Sequence, residues 1–81
     1  MNWSPLQKPQ IIAARATLAQ IQEAIQEARE SLAGHELRFK FYRNRPDKDV
    51  IQVRRMAVVQ EAIEKKIRNL EAASKIKEAS C

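Results

Sequence analysis

The side chains able to do acid–base, nucleophilic or metal chemistry are few in this chain, and their spacing scatters them. His35 is the only histidine, and its helical neighbours three and four positions away are Ser31, Leu32, Arg38 and Phe39, none of which adds a metal ligand on that face. Carboxylates stand four residues ahead of a base in Glu61–Lys65, Glu64–Arg68 and Glu71–Lys75. That spacing supports an exposed helix by about 0.2–0.5 kcal/mol per pair and does not assemble a general acid with a general base. Cys81 is the sole cysteine and the last residue, where nothing nearby tunes a thiolate. A single glycine, Gly34, is too few for a phosphate-cradling loop. The expectation is a non-enzyme with no catalytic residue, metal, cofactor or small-molecule substrate.

One stretch does carry a chemical signal. Between Arg38 and Arg55 lie seven cations (Arg38, Lys40, Arg43, Arg45, Lys48, Arg54 and Arg55) against two acids, Asp47 and Asp49. The local excess of +5 equals the net charge of the whole chain, because the other eight bases and eight acids cancel. Phe39, Phe41 and Tyr42 are interleaved with these cations. Cations that neutralise phosphates beside aromatic rings that stack on unpaired bases make this stretch a candidate nucleic-acid or polyanion site. A solvated, charged end of a helical hairpin accounts for the same residues more plainly, with Phe39 and Tyr42 as its last apolar layers.

The elements that position this stretch are legible from periodicity. Ile11, Ala14, Leu18, Ile21, Ile25, Ala28, Leu32, His35, Phe39 and Tyr42 follow at alternating steps of three and four, a seam of coiled-coil type. Gln20, Gln22, Glu23, Gln26, Glu27 and Glu30 form the polar face opposite. Val53, Met56, Gln60, Ile63, Ile67, Leu70 and Ser74 make a second seam by the same steps, widened by Val59, Ala73 and Ile76. Asn44 as a cap, Pro46 in the first turn and Asp47 and Asp49 near the positive end of the macrodipole predict the second helix start. The predicted fold is all-α: a loose arm over residues 1–9, a helix over 10–43, a helix over 46–78 folded back antiparallel, and a tail over 79–81.

The alternative is helix, two-stranded hairpin, helix. Gly34 then caps the first helix, Leu37 to Phe41 alternates as a strand, and Val50 to Val53 pairs with it. The seam keeping step through Gly34, and the lack of an Asn-Gly or Asp-Gly turn, favour helix throughout. Within the hairpin, His35 is expected to hydrogen-bond Gln60 and fix the register, with a pH-sensitive switch as the sharper alternative.

Function is then expected from surfaces. With 81 residues, the chain buries only about 60% of the surface its unfolded form exposes, and association is the common remedy. Apolar residues beyond the seams mark the surface: Ile12, Ala16, Ala19, Leu37 and Phe41 on the first helix, Ile51, Val58, Ala62, Ala72 and Ile76 on the second. The expected role is a protein–protein interaction or adaptor module working by helix–helix association, with itself or another chain, inside a larger assembly. Trp3 on the arm is either an anchor for a partner pocket or a lid folded back onto the open helix ends. Nothing near Met1 resembles the apolar core of a secretory signal, and no stretch approaches the roughly 18 apolar residues of a membrane span. A soluble, cytoplasmic protein without membrane contact is expected.

Overall fold

The computed structural model describes residues 3–80, and among them every regular element is a helix. There are three helices: α1 spans Pro9–Arg15, α2 Leu18–Arg43 and α3 Val50–Ala79. No strand forms among the described residues, so the helix–hairpin–helix alternative is excluded, and α2 runs unbroken through Gly34. The fold is nonetheless not the predicted two-helix hairpin. The first helix is interrupted at Ala16 and Thr17, which adopt extended backbone.

The interruption has a local cause. Thr17 is the N-cap of α2: its Oγ1 accepts from the Gln20 backbone N–H at 3.1 Å, and the Gln20 Oε1 accepts from the Thr17 N–H at 2.9 Å. This reciprocal pair satisfies two donors that a helix start otherwise leaves without partners, and it stabilises a new start by about 1 kcal/mol. Upstream, Pro9 at the first helical position sets the start of α1, and Ser4 and Gln7 close the preceding turn on each other.

The break turns the register. Beyond it the predicted seam holds: Ile21 and His35 are buried, and Ile25, Ala28, Leu32, Phe39 and Tyr42 half-buried. Before it, Ile11 and Ala14 face outward while Ile12 and Ala13 are buried. The short α1 packs on α3 near the chain ends, held also by Lys77 Nζ donating to the Ala13 carbonyl at 2.9 Å. The arm closes the same end, where Asn69 Nδ2 donates to the Pro5 carbonyl at 3.2 Å. Trp3, Ile12, Ala13, Ala16, Ile21, Leu70 and Ala73 form the core there. Complete burial of side chains such as Ile12, Ile21 and Leu70 contributes about 1.5–3 kcal/mol each.

At the other end of a rod 52 × 20 × 17 Å, the connection over residues 44–49 departs from expectation. Asn44 is the C-cap of α2, not the cap of the return helix. That role falls to Asp49, whose Oδ1 accepts from the Ile51 N–H at 2.9 Å, so α3 begins four residues later than the predicted 46. Tyr42 fixes the crossing through its hydroxyl, which accepts from the Asp49 N–H at 3.0 Å.

Candidate interaction surface

Two ends of one helical rod offer different chemistry, and the basic residues gather at the connection end. All seven cations from Arg38 to Arg55 are exposed there, and none makes an ion pair. Some are nevertheless engaged. The Arg43 guanidinium lies 5.4 Å from the centroid of the Phe39 ring, a cation–π contact, and Lys48 Nζ donates to the Arg43 carbonyl at 3.0 Å. Among the three aromatic rings only Phe41 is free to stack. It is 68% exposed, whereas Phe39 is half-buried beneath Arg43 and Tyr42 is half-buried with its hydroxyl committed to Asp49.

The apolar candidates divide into three groups. Ile12 and Ala16 are internal, buried in the Trp3 core, so they leave the candidate surface. The same packing removes Trp3 as a free anchor: it is 8% exposed and folds back onto the helix ends. Leu37 and Phe41 stand four residues apart on the outer face of α2, more than half exposed. Ile51, Val58 and Ala62 are exposed on the outer face of α3, with Ile76 further along and Ala72 half-buried. At about 100° per residue, each group lies roughly opposite its own seam. The two helices therefore turn these stripes away from each other, and the residues do not form one patch. Ala19 is exposed at the start of α2, apart from both. Val50, 62% exposed at the first turn of α3, joins the apolar surface although its place beside the charged connection hid it in sequence.

Between α2 and α3 runs a groove of about 610 Å³ whose floor includes Ala24, Ala28, Ile63 and Leu70. Trp3 and Pro5 stop it at one end, and Glu23 and Glu27 form its α2 lip. The sequence signal for this groove is a pair of alanines four residues apart, Ala28 on the seam and Ala24 beside it.

His35 is buried on the seam, but its partner is not Gln60. Its Nε2–H donates to the Met56 carbonyl at 2.7 Å, while Gln60 Nε2 donates along its own helix to Glu64 Oε1 at 3.2 Å. The His35 ring also lies 6.2 Å from that of Phe39, tilted by 48°, so His35, Phe39 and Arg43 follow one another up the side of α2. The three acid–base pairs predicted along α3 do not form. Glu71 Oε1 instead meets Arg29 Nη2 across the helices at 3.5 Å, and Glu64 accepts from Gln60.

Among the described residues, no three His, Cys, Asp or Glu side chains stand close enough to hold a metal ion. None of their helices is long and apolar enough to cross a membrane. Cys81 lies outside the described residues. No family model, curated protein or solved structure matches this chain.

Proposed function

We propose that the protein is a non-enzymatic, cytoplasmic interaction module that joins a larger assembly by helix–helix association. One observation carries this reading: Leu37, Phe41, Val50, Ile51 and Val58 are each more than half exposed in the part of the rod nearest the connection. Monomers carry scattered apolar side chains, but runs at helical spacing on two outer faces are what a second layer of helices covers. The test places a photo-crosslinking amino acid at Leu37 or Val58 of the full chain, in the cells that make it, with exposed Gln52 as control. Discrete higher-mass adducts from position 37 or 58, with none from 52, support the reading. No adduct from either apolar position overturns it.

The seven exposed and ionically unpaired cations beside Phe41 favour a second reading, contact with a polyanion through the connection end. Its probe is a labelled single-stranded oligonucleotide. Arg43→Ala with Arg45→Ala should weaken binding and flatten its salt dependence while helicity is kept. Binding unchanged in that double variant counts against it.

A further inference from the structure

We infer that the partner of the α2 outer face is a second copy of this chain, arranged antiparallel with the two α2 helices crossing at Gly34. This rests on the helix–helix reading above and names its partner.

Three observations on α2 converge. Glu23, Glu27, Glu30, Gly34, Leu37 and Phe41 follow at steps of four and three, so they share one stripe, and it is not the seam packed on α3. The stripe is polar in charge as well as in sequence: its first half is acidic, while Arg38 flanks its second half and Arg45 lies two residues past Arg43, where α2 ends. None of Glu23, Glu27, Arg38 and Arg45 has an intrachain ion pair. Between the two halves sits the only glycine. A Cβ built there meets nothing within 4 Å, so no packing inside the chain asks for a glycine in the middle of a 26-residue helix.

An antiparallel pair about Gly34 answers all three. Gly34 lets the two backbones approach closely, and Leu37, three residues on, covers the crossing in each copy. Phe41 and Glu27 are each seven residues from Gly34, so the Phe41 ring of one copy lies on the aliphatic stem of Glu27 in the other. Arg38 reaches the Glu27 and Glu30 carboxylates of the second copy, and Arg45 reaches Glu23, eleven residues from Gly34 on the other side. The same contacts occur twice about a two-fold axis, a closed isologous dimer that leaves no open end for a filament. The α3 outer stripe is not equivalent. It carries Arg55 between Ile51 and Val58 and Lys65 one step beyond Ala62, so two copies meeting there would bring like charges together.

The test is solution mass by light scattering of the full chain and of two charge-reversed variants, Arg38→Glu with Arg45→Glu, and Glu23→Arg with Glu30→Arg. Expected are twice the 9.3 kDa chain mass for the wild type, monomers for each variant alone, and restored dimers when the variants are mixed. Helical circular dichroism of each variant separates lost association from lost folding, and the mixture restores only the specific pairing. A monomeric wild type, or variants that still dimerise alone, overturns the inference. The outcomes also separate the two proposals: a monomer with adducts at position 37 or 58 keeps the adaptor reading and removes the second copy. A dimer abolished by Ile51→Glu with Val58→Glu but untouched by charge reversal moves the interface to α3.

Discussion

At one end of the rod three elements pack together, and at the other only two. Near the chain termini, α1 and the arm lay a third layer over α2 and α3, and Ile12, Ile21, Leu70 and Ala73 are all but inaccessible. Near the connection the same two helices carry no third layer, and of the described residues from 32 to 60 only His35 is buried. The two ends have similar apolar content, so hydrophobicity alone does not explain the difference. What differs is geometry: a pair of helices hides one stripe on each partner, and everything outside that stripe stays wet until another element arrives. The chain supplies that element at one end and leaves Leu37, Phe41, Ile51 and Val58 uncovered at the other.

The difference between the two ends should show most strongly at Trp3. It shares the closed-end core with Ile12, Ala13 and Leu70, and its Nε1–H is buried without a hydrogen-bond partner. Trp3→Ala should therefore cost about 3–5 kcal/mol, a large share of the stability of so small a chain. Trp3→Phe should cost much less, since it keeps most of the ring while removing the unpartnered donor. Phe41→Ala, at 68% exposure, should lie within about 0.5 kcal/mol of the parent when the chain is monomeric. Urea unfolding followed by circular dichroism measures all three. Equal losses at Trp3 and Phe41 would mean the two ends are not as different as their burial says.

His35 marks where the closed and open ends meet, and it carries the next largest effect. His35→Ala removes the donor to the Met56 carbonyl together with a buried ring that touches Phe39. The expected loss is about 1–3 kcal/mol, and His35→Gln, which can still donate, should recover part of it. A variant as stable as the parent would assign the inter-helix register to apolar packing alone.

How much of this was readable in advance follows the same division. From Ile21 to Tyr42, and along Val53 to Ser74, steps of three and four located the packed faces correctly, because there one long helix meets another with no interruption. The periodicity misleads at Thr17-Leu18-Ala19-Gln20, which has capping-box spacing. The apolar rhythm runs through it unbroken and outvotes it. Once Thr17 restarts the helix, the phase of everything before it is free, so Ile12 and Ala16 moved from the expected outer surface into the core. Trp3 and the groove were decided by long-range packing that no local pattern encodes. At the connection, Asn44 and Asp49 are both competent caps; Asp49 starts α3, and its N–H donates to the Tyr42 hydroxyl, a contact seven residues apart that no local pattern encodes.

A single methyl group probes the open end most finely, because it is expected to act with opposite signs on two measurements. Gly34→Ala adds a Cβ where the chain itself offers open space, in an ordinary helical backbone with no positive φ. Within one copy the substitution removes the helix penalty of glycine and should stabilise folding by up to about 1 kcal/mol. Between two copies that methyl stands at the crossing point, where overpacking costs about 1–3 kcal/mol, which is roughly 5-fold to 150-fold in the dimer Kd. Unfolding of Gly34→Ala in the charge-reversed Arg38→Glu, Arg45→Glu background reads the first term without the second. Sedimentation equilibrium of Gly34→Ala in the wild-type background reads the dimer. A gain in monomer stability with unchanged Kd would keep the open space beside the glycine but move the crossing elsewhere along α2. A gain in both would mean that the α2 outer face meets its partner at a distance where a single methyl is welcome, and the close approach at Gly34 would be wrong.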